Sequence, residues 1–217
     1  MIEIRLKLLS DATFGRGDGV SGLVDEEVEH DARTGLPLVR GRTLKGLLVE
    51  GCADIFYALG ETGSQAMQNS AEFLFGKPGS DLAADAQMRV GTAQFPETLR
   101  RAVAADVRDK RVTSEAVLQS LTAVRRQTAV DDQYGTPEAG SLRAMRVLLR
   151  DTELIAPLTF TQDATAHLPL LAACVTAVQR GGIGRNRGRG RLSARLWQDG
   201  SDITDDQLAR FKAVIGG

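Results

Sequence analysis

Apolar and polar positions alternate at the start of the chain: Ile2, Ile4, Leu6 and Leu8 face one way and Glu3, Arg5 and Lys7 the other. Period 2 is the signature of a half-buried strand. After Gly41 the period changes. Leu44, Leu47, Leu48, Ile55, Phe56 and Leu59 follow the spacing of an amphipathic helix, with Thr43 read as its N-cap. A second helix is predicted over roughly 64–75, stopped by Gly76-Lys77-Pro78. Residues 88–95 read as a strand, and a helix is predicted from Ser114 to about Val124. The stretch 142–161 holds strand-like runs, including Val147-Leu148-Leu149 and Leu158-Thr159-Phe160. An apolar helix, Leu168–Val178, then precedes a strand at Leu192–Trp197, where Leu192, Ala194 and Leu196 alternate with Ser193 and Arg195. A short helix over 204–213 ends the pattern.

Two stretches fit neither period. Residues 10–41 carry Gly15, Gly17, Gly19, Gly22, Gly35 and Pro37, too many breakers for a helix. Inside a compact fold so long an ordered loop is uncommon unless it binds something. The second stretch, about 124–140, is rich in turn residues: Asp131, Asp132, Gly135, Pro137 and Gly140. The order strand, helix, strand, excursion, strand, helix, strand predicts an α+β fold with ferredoxin-like connectivity. It is read as one domain over 1–217 with insertions at about 10–41 and 124–140.

Composition narrows the classes. With 42% hydrophobic and 25% charged residues in 217, the chain can bury a core, which excludes disorder throughout. No apolar run approaches the roughly 20 residues of a membrane span, and the start lacks a signal-peptide core, so a soluble, cytoplasmic protein with no membrane partner is expected. Cys52 and Cys174 sit far apart within apolar helical patterns, which favours buried free thiols over a disulfide.

The net charge of −1 conceals two opposed concentrations. RGGIGRNRGRGR, Arg180–Arg191, holds five arginines and five glycines in twelve residues; DEEVEHD, Asp25–Asp31, holds five carboxylates in seven. Glycines such as Gly182 and Gly184 permit close backbone approach. Arg185, Arg187 and Arg189 supply planar donors matched to phosphate oxygens. A polyanion is therefore the natural ligand. The loop follows a helix and precedes a strand, the reverse of a dinucleotide fingerprint, and no P-loop is present. Arg40, Arg42 and Lys45 gather at a helix start that already favours anions, and Arg125 with Arg126 forms a third basic cluster. Few aromatics accompany these clusters, so backbone recognition is better supported than base stacking. The carboxylates around Asp25 suit Mg²⁺ or another divalent metal, which binds through one or two carboxylate oxygens and completes its shell with phosphate and water. His30 and His167 form no zinc spacing, and no nucleophilic triad can be assembled.

The order of these motifs resembles the RAMP superfamily of CRISPR-associated proteins, and within it the backbone subunit of type III effector complexes. Gly15–Gly19 precede Asp25; Asp31, Gly35-Leu36-Pro37 and Gly41-Arg42-Thr43-Leu44-Lys45-Gly46 follow, then Phe75-Gly76, Thr122–Asp131 and Gly181–Gly190. Arg40 and Arg42 depart from the proline and serine frequent in the family. The resemblance implies a ferredoxin-like or RRM-like domain carrying a long loop and a thumb at about Val124–Gly140. It implies an antiviral ribonucleoprotein in which copies stack head to tail along a guide RNA beside other effector subunits. It places Asp25 at the family's position for metal-dependent cleavage of target RNA at regular intervals. Two alternatives stay open at this point: a non-catalytic RNA-binding subunit of the same complex, and a metal-independent repeat-RNA-processing ribonuclease using His30 or a similar group.

Overall fold

The alternation in the first strand decides where it lies. In β1 (Ile2–Leu8), Ile4 and Leu6 are at most 4% exposed because each sits between two antiparallel neighbours. Ile4 lies opposite Ala156 of β5 (Glu153–Phe160) and Leu196 of β6 (Leu192–Gln198); Leu6 lies opposite Leu154 and Ala194. The computed structural model describes residues 1–60, 65–77, 85–128, 136 and 141–215. Its main sheet has the order β2-β5-β1-β6-β7, with β2 at Met88–Val90 and β7 at Ser201–Asp202. Helix α1 (Gly41–Leu59) joins β1 to β2, and α5 (Leu168–Ala177) joins β5 to β6. The strands β1, β2, β5 and β6 thus make the β-α-β-β-α-β arrangement in which the last strand pairs with the first, a ferredoxin-like α+β fold.

Both crossover helices cover the apolar face of this sheet. Leu44, Leu48 and Cys52 of α1 share one core with Leu171, Cys174 and Val175 of α5. Gly51 permits their close approach, since a Cβ there would lie 3.1 Å from the Cβ of Ala177 and 3.2 Å from the Cys174 carbonyl. The two thiols are free and buried; a hydrogen bond between them pushes Cys174 well above the ordinary thiol range and draws Cys52 down. Helix α2 (Gln65–Phe75) lies beside this pair, its Phe73 stacked on His167 with ring centroids 3.9 Å apart. Helix α6 (Thr204–Ile215) closes the far side against α5 and buries Phe211.

Several boundaries differ from the sequence reading. The N-cap of α1 is Arg40, not Thr43; the helix starts early because Gly41 fits where a Cβ would come 2.0 Å from the Val90 carbonyl. The strand read over 88–95 pairs only at Met88–Val90; beyond Gly91, Ala93 turns to bridge Val39 and Gln94 to bridge Ile155. Helix α3 (Glu97–Arg108), absent from the prediction, buries no residue. Helix α4 (Ser114–Leu121) ends before Val124: Thr122 bonds its hydroxyl back to the Leu118 carbonyl, and the chain continues as β3 (Thr122–Gln127). Arg125 and Arg126 consequently belong to a strand. It pairs antiparallel with β4 (Arg143–Leu148) in a separate ribbon. The rest of the stretch expected to form a thumb, apart from residue 136, lies outside the described residues.

Candidate nucleic-acid interface

The long first loop does not wander. It zips residue by residue onto the ribbon and onto the arginine–glycine loop. Ala12 bridges Leu148 of β4, and Thr13 bridges Ile183. Gly15 bridges Val28, and Glu26 runs parallel to Met145. Gly15 leaves room at this crossing for the Glu26 carboxylate and the Ile183 side chain, which lie 1.9 and 3.0 Å from where a Cβ would stand. These contacts lay the acidic run and the basic loop, which Asp31 and Arg180 separate by 149 positions in sequence, against the same ribbon.

The five carboxylates of the acidic run have separate fates. Glu27, 2% exposed, accepts from Arg146 Nε at 2.7 Å, and Arg146, 7% exposed, also reaches the Thr122 hydroxyl at 3.3 Å. Glu29 is buried and pairs with Arg40, whose Nη2 donates at 2.9 Å; the pair raises the arginine further above its ordinary range. Asp31 closes a turn. Burial opposes its ionisation, but bonds from the Thr34 amide and hydroxyl and the Arg33 amide outweigh that and hold its carboxyl below the usual range. One oxygen of Glu26 accepts from the Gly17 amide at 3.2 Å.

Asp25 alone of the five is exposed. Its amide donates to the Ala144 carbonyl at 2.7 Å, and the Ala144 amide donates to its Oδ2 at 2.7 Å. This reciprocal pair fixes the carboxylate of the exposed Asp25 on the ribbon edge. Among the described residues no three His, Cys, Asp or Glu side chains converge on a metal position. The donor set at Asp25 therefore fits only the open mode natural to Mg²⁺, one carboxylate with phosphates and water as the remaining ligands.

The cations divide just as sharply. Arg185 forms a bidentate pair with Glu50 of α1 at 2.7 and 2.8 Å, which raises it above its ordinary range. Arg125 is similarly held by Asp11 at 2.7 Å, and Arg189 lies on the Met145 sulfur of β4. With Arg40 on Glu29, four of the seven arginines read as phosphate ligands already have protein partners. Arg42, Arg126 and Arg187 are exposed and, like the half-buried Lys45, make no ion pair among the described residues.

Glycines of the C-terminal loop serve closure as much as access. Gly182 has φ +86°, and a Cβ there would come 2.5 Å from the Thr13 carbonyl; Gly184 at φ +74° opens a short 3₁₀ turn, Arg185–Arg187. The amides of Gly181, Ile183, Arg187 and Gly190 are taken by backbone carbonyls, which ties the loop to itself and to the first loop. His30 turns Nδ1 to the Val28 carbonyl at 3.0 Å.

This fold has known counterparts. A chain of the Type III-B Cmr-beta complex in its apo state, solved by cryo-EM, superposes with TM-score 0.63 at 11% identity, covering 92% of this chain and 98% of that one. The chain shares the fold of a Cmr-beta chain. A second match comes from the Cmr-beta complex bound to cognate target RNA, with TM-score 0.61, 10% identity, and coverage of 96% and 99%. No family model and no curated protein sequence matches.

Proposed function

We propose that the chain is a guide-RNA-binding backbone subunit of a type III CRISPR ribonucleoprotein that cleaves complementary target RNA at Asp25. The observation that carries this reading is the placement of Asp25. The one exposed carboxylate of the acidic run is pinned by the Ala144 backbone to the same ribbon whose next residue, Met145, holds Arg189 of the arginine–glycine loop. Likeness in fold to chains of Cmr-beta, one of them from a complex with cognate target RNA, supports it over nearly the whole length.

Each part has a role in the reaction. Arg187, Arg126, Arg42 and Lys45 neutralise phosphates and set the strand's position without reading its bases. The fixed Asp25 carboxylate orients the ribose 2′-hydroxyl toward the adjacent phosphorus. Attack by that oxygen, its proton lost to solvent, breaks the P–O5′ bond; O5′ takes a proton from solvent, leaving a 2′,3′-cyclic phosphate and a 5′-hydroxyl. A divalent cation held by Asp25 and the RNA phosphates would supply charge stabilisation at the phosphoryl oxygens. Other effector subunits and head-to-tail copies of this chain complete the assembly, and spacing between copies sets the cutting interval.

The test replaces Asp25 by alanine in the assembled complex. Target binding and complex composition are expected to persist while fragments ending in cyclic phosphate disappear. Fragments produced at the wild-type rate would remove the catalytic role and leave a purely RNA-binding subunit.

A further inference from the structure

The neck of the arginine–glycine loop contains a contact that a folded chain has reason to avoid. Arg180 and Arg191 are directly opposed across an antiparallel bridge. The flanking bonds, Leu192 amide to Gln179 carbonyl at 3.0 Å and Gly181 amide to Gly190 carbonyl at 2.9 Å, make theirs the non-hydrogen-bonded kind of pair. In such pairs the Cα atoms approach to about 4.5 Å and the side chains are at their closest. Like charges in that position destabilise a sheet.

Neither guanidinium is neutralised by a carboxylate among the described residues. Both residues are exposed, and neither makes an ion pair among the described residues. Among the described residues the only hydrogen bond from either side chain is a long one, Arg180 Nη1 to the Arg185 carbonyl at 3.3 Å. Both line one groove of about 480 Å³ between β6, the end of α5 and α6, where Ser193 and Gln179 add polar groups. Two further charges share it, Arg195 and Asp205, but they satisfy each other at 2.7 Å and Arg195 also holds Asp202. Beyond the groove, Arg180 borders a cavity containing Glu50 and Asp54, and Glu50 is already the bidentate partner of Arg185.

From this geometry we propose that Arg180 and Arg191 form a two-guanidinium clamp for a single phosphate group, a phosphodiester of the bound RNA strand. The phosphate joins the two cations and converts their mutual repulsion into charge-assisted hydrogen bonds. The proposal rests on the RNA-binding reading for the source of the phosphate, though not for the clamp itself. It extends the strand's path from the exposed Arg187 down to the neck of the loop and into the α6 groove.

The experiment uses the full chain with Arg191→Gln, because that side chain makes no hydrogen bond or ion pair among the described residues, and Arg195→Gln as a neighbouring control of equal charge change. Without ligand, Arg191→Gln is expected to raise the melting temperature by about 1–3 °C through relief of the like-charge pair. With a fluorescein-labelled single-stranded RNA, the same variant is expected to bind several-fold more weakly. Its log K against log salt slope should be shallower by about 0.7, the loss of one phosphate contact on a single strand, while Arg195→Gln keeps the wild-type slope. Inorganic phosphate should stabilise the wild type and not Arg191→Gln. If the wild type binds no RNA yet phosphate protection is still lost in Arg191→Gln, the clamp stands and the RNA reading fails. A lowered melting temperature for Arg191→Gln without ligand, or an unchanged salt slope together with unchanged phosphate protection, overturns the clamp.

Discussion

The two strand-rich regions of this molecule are held together by different forces. In the main sheet, Ile4, Ala156 and Leu196 meet with no exposed surface, and Leu171 and Val175 of α5 close over them. Stability there follows from apolar area, about 1.5–3 kcal/mol for each fully buried large side chain. The layer formed by the first loop, the ribbon and the arginine–glycine loop is fastened differently, by Glu27–Arg146, Glu29–Arg40 and Asp11–Arg125 and by backbone bonds at glycines. The contrast teaches where function can reside. An apolar core tolerates no charged ligand, whereas a layer laced by ion pairs can exchange carboxylates for phosphates without unfolding the sheet beneath it.

The contrast is broken most forcefully at Arg146. Arg146→Met leaves the Glu27 carboxylate buried without a cation and is expected to cost about 3–5 kcal/mol. The double variant Glu27→Leu/Arg146→Met should recover most of that, since replacing both ions with apolar groups is often neutral or favourable. Denaturant unfolding of the single and double variants measures both, and a double variant no better than the single one would show that the pair is not the fastening. Next in size is Gly190→Ala. Its φ of +68° and a Cβ placed 1.9 Å from the Gly181 carbonyl predict a loss of about 1–3 kcal/mol, seen by thermal melting. A melting temperature equal to wild type would mean the loop closes without that contact.

The smallest effect concerns acid. Asp31 has a folded pKa below its ordinary 3.8, so the stability it contributes is present above that value and is lost as pH falls through the lowered folded value. Thr34→Val removes one of its hydrogen bonds and should flatten this acid-side loss by a few tenths of a kcal/mol. Melting temperatures measured on either side of about pH 4 check the sign.

Much of the sheet could be read from the chain because its signals are local. The alternation in Ile2–Leu8 and Leu192–Trp197 and the apolar run of α5 each report their burial in a few residues. Helix α3 escaped because it buries nothing. Its signal was the start at Pro96-Glu97 and the helical spacing of Leu99, Val103 and Val107, of which Val103 and Val107 pack only partly and Leu99 is exposed. At the interface the ligand types were legible and their availability was not. The arginine–glycine loop and the acidic run announce themselves by composition, and the family resemblance singles out Asp25, but Glu50 lies 135 positions from Arg185 and Ala144 lies 119 from Asp25. No local pattern reveals partners at that separation.

The central claim is that the Asp25 loop, the ribbon and the arginine–glycine loop present one RNA-binding face. Ultraviolet crosslinking of the full chain to single-stranded RNA, followed by peptide mass spectrometry, tests it most directly. Crosslinked peptides should fall within 11–31, 122–128, 143–148 and 180–191. Crosslinks concentrated on α2 and α3, with 180–191 silent, would contradict it.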